Sequence, residues 1–152
     1  KYSIEALPII LKESKILILG YGNSAKALVD DFIHFSKELL VAVRKESVRK
    51  ELDTKNIQNI NLEDLKTVIE KYDIIVNTIP SLIIDEELLH YISPASYILD
   101  IASYPGGVDY KKAKEYGINA YLLPSLPLKF APKSSGLTYG KAIEKGVSLW
   151  KN

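Results

Sequence analysis

The chain has no cysteine and no methionine, one tryptophan, and only two histidines, His34 and His90. Without cysteine there is no disulfide framework, no thiolate metal site and no cysteine nucleophile. Two isolated histidines with no paired ligand spacing argue against a zinc site as well. Charge of one sign is also lacking. Lysine and arginine number 20 against 19 aspartates and glutamates, and no long basic tract gathers them, which argues against nucleic acid as a partner. No apolar run approaches the ~20 residues of a membrane-spanning helix. The opening Lys1-Tyr2-Ser3-Ile4-Glu5 does not read as a secretory signal, so a soluble, cytoplasmic protein with no membrane partner is expected. The missing methionine implies a domain excised from a longer chain.

What is present suffices for one ordinary domain: 152 residues, 47% hydrophobic, can bury a substantial core. The most informative stretch is Lys15-Ile16-Leu17-Ile18-Leu19-Gly20-Tyr21-Gly22-Asn23-Ser24-Ala25. An aliphatic run breaks into Gly-x-Gly-x-x-Ala, and apolar Ala25, Leu28, Val29, Phe32 and Ile33 then recur at helical spacing. Such a run suits a strand buried on both faces of a parallel sheet. Between strand and helix, Gly20 permits a tight turn, Gly22 lets the backbone approach a pyrophosphate, and Ala25 keeps the helix close to the sheet. The helix N-terminus offers unpaired N–H groups to the anion. Asn23 and Ser24 add side-chain donors or cap the helix. A plain strand-to-helix turn can carry the same glycines, but the flanking strand and helix favour cofactor binding.

The alternation continues along the chain. Strands are expected at 16–19, 39–43, 57–60, 73–80, 96–103 and 120–123. Helices are expected at 23–35, 47–52, from 62 through Leu65, Val68 and Ile69, at 86–91, at 110–116 closed by Gly117, and as a covering helix at 134–151. Residues 1–14 read as a lead-in or linker helix interrupted by Pro8, and 15–152 as one dinucleotide-binding domain. This order implies an α/β, Rossmann-like doubly wound fold, a mostly parallel sheet with helices on both faces and right-handed crossovers.

In such a fold ligands bind beyond the carboxyl ends of the strands. The second strand runs into Val43-Arg44-Lys45-Glu46-Ser47, where an NAD-binding protein often carries an acid for the ribose 2′-hydroxyl. Here the first charges are basic. A guanidinium can grip a 2′-phosphate with two parallel hydrogen bonds, with Lys45 and Ser47 adding charge and a donor, so NADP is favoured over NAD. The plainer alternative makes Arg44 and Lys45 solvated surface residues partly cancelled by Glu46. The fourth strand ends in Asn77-Thr78-Ile79-Pro80-Ser81, where small polar groups and a proline can lie against a ribose, or where Pro80 simply fixes a turn. The fifth ends in Asp100-Ile101-Ala102-Ser103-Tyr104-Pro105-Gly106-Gly107. There Asp100 can orient a donor, Ser103 can bind substrate, and the glycines permit a close backbone approach. After the sixth strand, Lys133 can hold an anionic substrate near a helix start, unless its proline-rich surroundings are only a crossing loop.

Several of these motifs together resemble the nicotinamide-nucleotide domain of the A-type subunit of dipicolinate synthase. They are Asn77-Thr78-Ile79-Pro80-Ser81, Ile98-Leu99-Asp100-Ile101-Ala102-Ser103 with Pro105-Gly106-Gly107 and Asp109, Gly117-Ile118 with Ala120, and Pro124 with Leu126-Pro127, followed by Ala131-Pro132-Lys133. The resemblance implies an NADP-dependent oxidoreductase that oxidises and dehydrates 4-hydroxy-tetrahydrodipicolinate, a small dicarboxylate, in the mother cell during bacterial sporulation. It also implies, as partner, the flavoprotein-like B-type subunit of dipicolinate synthase, and an N-terminal domain that helps close the active site, so that this portion alone binds cofactor without turnover. Self-association as a homo-oligomer stays open. On this reading the cofactor residues are Gly20, Gly22, Asn23, Ser24, Ala25, Arg44, Lys45, Ser47, Thr78, Ile79, Pro80, Asp100 and Ala102. Ser103, Tyr104 and Lys133 are the substrate-side candidates, and no residue is assigned to proton transfer. Gly22-Asn23-Ser24-Ala25-Lys26-Ala27 and Asn77-Thr78 also look like shikimate dehydrogenase, another NADP enzyme. A nucleotide-binding module without chemistry, serving assembly of a partner, is the remaining alternative.

Overall fold

The computed structural model describes residues 11–123. Six strands form one sheet in the order β3-β2-β1-β4-β5-β6: β1 Lys15–Leu19, β2 Glu38–Val43, β3 Asn59–Asn61, β4 Ile74–Asn77, β5 Tyr97–Asp100 and β6 Asn119–Leu122. Every pairing is parallel. The fold is therefore the doubly wound, Rossmann-like one expected from the strand and helix alternation, and its chain order reverses between β1 and β4.

Alternation along β1 shows why the sheet is covered on both sides. Ile16 and Ile18 face one core with Ala25, Leu28, Val29 and Phe32 of α1 (Asn23–Phe32) and Leu52 of α2 (Glu46–Thr54). Leu17 and Leu19 face the other, with Leu88 and Leu89 of α3 (Glu86–Leu89) and Ala113 of α4 (Tyr110–Glu115). All four β1 aliphatics are 0% exposed, as a central parallel strand requires. Asp85 and Asp109 start α3 and α4 by accepting the N–H groups of Leu88 and Lys112 at 2.9 and 3.1 Å.

Several bounds tighten, with β4 and β5 ending at Asn77 and Asp100, short of the expected 80 and 103, and α1 and α3 at Phe32 and Leu89, short of 35 and 91; two further expectations change in kind or place. The stretch after β3 is not an α-helix but two 3-10 turns, Leu62–Thr67 and Ile69–Lys71, broken at Val68 with φ −130°. Thr67, Val68 and Ile69 are consecutive β-branched residues, which crowd the preceding helical turn and weaken continuous α-helix. β3 lies at 59–61 instead of 57–60, because Ile57 is drawn into the core behind α2 and pairing with Val41 begins at Asn59. The Leu11–Glu13 turn is the described part of the lead-in; the covering helix at 134–151, the motif at Pro124-Ser125-Leu126-Pro127 and Lys133 lie outside the described residues. No helix among the described residues is long and apolar enough to cross a membrane.

Candidate functional site

Where β1 ends, the backbone turns sharply at Gly20, whose φ of +96° is strained for any residue with a side chain. A Cβ there would overlap the Thr78 hydroxyl and lie 3.1 Å from Ile79 Cγ1, so the turn is pressed against the end of β4. Gly22 is the opposite case. It starts α1, a Cβ built on it meets nothing within 4 Å, and no side chain caps the helix. Asn23 and Ser24 are exposed and leave the helix uncapped, while Ala25 is 0% exposed against the core. The turn thus combines an open approach over Gly22 with a helix N-terminus whose N–H groups no side chain satisfies. That arrangement fits a pyrophosphate.

Beside it lies a cleft of about 300 Å³ lined by Gly20, Tyr21, Val43, Arg44, Lys45, Val48, Leu62, Ile79, Ser81 and Ile83. Its volume and mostly apolar walls suit one half of a dinucleotide rather than the whole. Of the residues singled out from the sequence, Gly20, Arg44, Lys45 and Ile79 meet here. Arg44 and Lys45 are exposed, and among the described residues neither pairs with a carboxylate. Glu46 does not cancel them, since it sits 3.7 Å from Lys50 one turn along α2. Lys45 starts α2 with no side-chain cap, and Ser47 is exposed in its first turn.

Sequence reasoning left out Tyr21, which lines the cleft, and Arg49, which does not line it but carries an unpartnered group. Tyr21, the middle residue of the glycine turn, is 9% exposed, with the Lys26 and Lys55 ammonium groups 5.3 and 5.6 Å from its ring centre. Lys55 also donates to its hydroxyl at 3.4 Å and to Glu51 at 3.1 Å; these contacts, the Glu51 one foremost, hold the ammonium above its usual range. Arg49, in α2, has its Nε buried with no partner among the described residues. Its position four residues past Lys45 was the available signal, since that spacing returns to one face of a helix.

The ends of β4 and β5 are locked together. Asn77 and Asp100 are adjacent in register and both 0% exposed. The Asn77 amide donates to Asp100 at 2.9 Å and to the Ile79 carbonyl at 3.0 Å, and accepts from the Ile79 N–H at 3.1 Å. Asp100 accepts further from the Gly107 N–H at 2.7 Å, the Tyr110 hydroxyl at 2.8 Å and the Ala102 N–H at 3.3 Å. Burial, then the hydrogen bond to Asp100, pushes the Tyr110 phenol far above its ordinary range. The Gly107 carbonyl accepts from the N–H groups of Ile83 and Ile84 at 3.0 and 2.9 Å. A Cβ on Gly107 would overlap the Asn77 amide and lie 2.7 Å from the carbonyls of Ile79 and Ser81, so the close approach made by the glycines is to the neighbouring loop.

Asp100 and Ala102, both read from the sequence as cofactor residues, are buried. The Asp100 carboxylate is taken up by Asn77 of β4, by the Gly107 N–H and by the Ala102 N–H, which donates to it. Thr78 is similar, donating its hydroxyl to the Leu19 carbonyl at 2.7 Å. Pro80, Ser103 and Tyr104 are exposed, Tyr104 to 82%, and none of them lines the cleft.

Known proteins carry the same plan. The family model described as shikimate / quinate 5-dehydrogenase matches residues 5–127. The A-type subunit of dipicolinate synthase from Bacillus subtilis (strain 168) is 32% identical over 132 residues, which cover 87% of this chain and 44% of that protein. The resemblance drawn from the strand-end motifs is thereby borne out. An NADP(+) shikimate dehydrogenase of Staphylococcus aureus (strain JH9) is 29% identical over 62% of this chain and 37% of its own. The crystal structure of the A-type dipicolinate synthase polypeptide from Bacillus subtilis superposes with a TM-score of 0.78 at 29% identity, over 97% of this chain and 50% of that one. The chain therefore spans half or less of the length of these relatives. Its relatives are oxidoreductases of the dehydrogenase type built on a nicotinamide-dinucleotide-binding fold. With most of its length matched by that one family model, the chain belongs to the shikimate / quinate 5-dehydrogenase family.

Proposed function

We propose that the chain is the NADP-binding portion of an oxidoreductase of the dipicolinate synthase A type. The observation that carries this is the unpaired basic edge where β2 ends. Arg44 and Lys45 stand exposed at the cleft, no acid occupies the position that would receive a ribose 2′-hydroxyl, and α2 begins there uncapped. A 2′-phosphate supplies the charge that these groups lack, with Arg44 gripping it through paired N–H donors. Arg49, with an unpartnered Nε one turn further along α2, adds a second guanidinium. The pyrophosphate lies over Gly22 and the start of α1, and the adenosine fills the cleft against Val43, Val48 and Ile79. Bound this way, the nicotinamide supplies the capacity to accept a hydride.

The likeness to the A-type dipicolinate synthase polypeptide supports the finer reading: oxidation and dehydration of 4-hydroxy-tetrahydrodipicolinate in the mother cell during sporulation, with a flavoprotein-like B-type partner, an N-terminal domain that helps close the active site, and Ser103, Tyr104 and Lys133 as substrate-side residues. A shikimate-dehydrogenase-type reaction is the second reading, favoured by the family model and by the Staphylococcus relative. It uses the same cofactor site and differs in substrate.

Calorimetric titration with NADP and NAD tests the cofactor assignment. NADP is expected to bind at least about tenfold more tightly, and Arg44→Ala to weaken NADP binding by about 10- to 100-fold, the worth of one charge-assisted pair, while sparing NAD. Equal losses for both would refute the 2′-phosphate site. No binding of either would favour an assembly module.

A further inference from the structure

Tyr21 stands between two glycines, the residues with the freest backbone, in a turn that must keep its shape to receive a phosphate. Gly20 is tied to β2, donating its N–H to the Ala42 carbonyl at 2.9 Å. Around Gly22 there is open space: a Cβ built there meets nothing within 4 Å, and no side chain caps α1. The one side chain between the glycines is that of Tyr21, and it is buried in the first core with Ala25, Leu28 and Leu52. It is the anchor of the turn.

Three charged residues from two helices converge on that anchor. The ammonium groups of Lys26, in α1, and Lys55, just past α2, lie over the Tyr21 ring at 5.3 and 5.6 Å from its centre. Glu51 of α2 pairs with both, at 3.8 Å from Lys26 and 3.1 Å from Lys55. Each ammonium is thus shared between a carboxylate and an aromatic ring. Tyr21 lines the cleft, and none of the three charged residues does. A single exposed ion pair contributes little to a fold, but here two pairs and two cation–ring contacts meet at one side chain of the turn.

We infer that Glu51, with Lys26 and Lys55, forms a positioning cluster that acts through Tyr21 to hold the glycine turn in its phosphate-binding shape before a ligand arrives. The N–H groups at the start of α1 then meet a pyrophosphate without the turn having to be ordered at that moment, an entropic cost that weakens binding to a loose loop. The inference rests on the dinucleotide reading above and adds to it residues outside the cleft that set its affinity.

Calorimetric titration of the full chain and of Glu51→Ala with NADP, ADP and 2′-AMP tests it. NADP and ADP bring a diphosphate to the turn, whereas 2′-AMP brings only the phosphate that Arg44 would grip. Removing a negative charge by itself strengthens the binding of every anion, so positioning predicts the opposite sign. Glu51→Ala is expected to weaken NADP and ADP by about threefold, the scale of the two exposed ion pairs it deletes, and to leave 2′-AMP unchanged. In a Tyr21→Leu background, where the ring is gone, Glu51→Ala should weaken NADP no further. Tighter or unchanged binding of NADP and ADP, an equal loss for 2′-AMP, or a full effect of Glu51→Ala without the ring overturns the inference and leaves the dinucleotide site standing. A lower thermal midpoint with unchanged affinities gives Glu51 a role in stability only and overturns it too. Should Tyr21→Leu fail to fold by circular dichroism, or 2′-AMP bind too weakly to measure, the sign of the Glu51→Ala change on NADP and ADP decides. If the unaltered chain binds neither NADP nor ADP, the dinucleotide reading itself fails, and this inference with it.

Discussion

Two phenols, Tyr72 and Tyr110, are kept neutral well beyond their ordinary range by burial first, and then by the carboxylates they donate to, Glu38 and Asp100. An acid whose pKa is raised on folding contributes stability that is present below its unfolded pKa and lost as pH climbs above it. Stability associated with these residues should therefore be level up to pH 9 to 10, roughly the unfolded tyrosine range, and then fall as the unfolded phenols ionise. Thermal midpoints between pH 8 and 11 would show it. Tyr110→Phe should flatten part of that alkaline fall relative to the unaltered chain, and an identical profile would remove Tyr110 from the account.

α1 shows how little latitude a single element has when it both builds the core and leaves an open N-terminus at the glycine turn. Its N-terminus lies open over Gly22, while Leu28, Val29 and Phe32 are at most 1% exposed on the sheet. Leu28→Ala should cost about 2 to 5 kcal/mol, the range for a cavity left by a buried leucine, readable as a lower denaturant midpoint. A loss below about 0.5 kcal/mol would mean that the site is not packed as described. The 3-10 turns after β3 behave differently. Leu62 faces the cleft, yet Leu62, Leu65 and Ile69 are also buried in the second core, so this segment joins the binding wall to the packing.

For the whole molecule, a ligand that binds only the folded state stabilises it by mass action. At 100 times its dissociation constant a single bound dinucleotide is worth about 2.7 kcal/mol, which for a chain of this size raises the thermal midpoint by about 5 to 10 °C. Differential scanning calorimetry across a series of NADP concentrations should show the midpoint climbing with each increment. A midpoint independent of concentration would count against the cleft as a dinucleotide site.

The aliphatic run 16–19, the glycine turn and the basic residues after β2 could be read from the sequence because each rests on local chemistry. Strand periodicity, the backbone freedom of Gly20 and the charge of Arg44 need no distant partner. The roles of Asp100, Ala102 and Thr78 could not be read that way. Whether a polar side chain at a strand end reaches a ligand or a neighbour depends on which strand pairs beside it, and Asn77 meets Asp100 only through the register of β4 with β5. Likewise, 3-10 geometry prevailed over an apparent helical pattern where Thr67, Val68 and Ile69 follow one another, of which only Ile69 is buried. The fold class, the glycine turn and the sign of charge at its edge were legible in the sequence, since these follow from residues a few positions apart. Which strand-end groups face the cleft and which are locked inside was settled by the folded arrangement, because it depends on strand pairing such as that of Asn77 with Asp100, 23 residues apart in the chain, and on how the Gly107 turn folds back onto them.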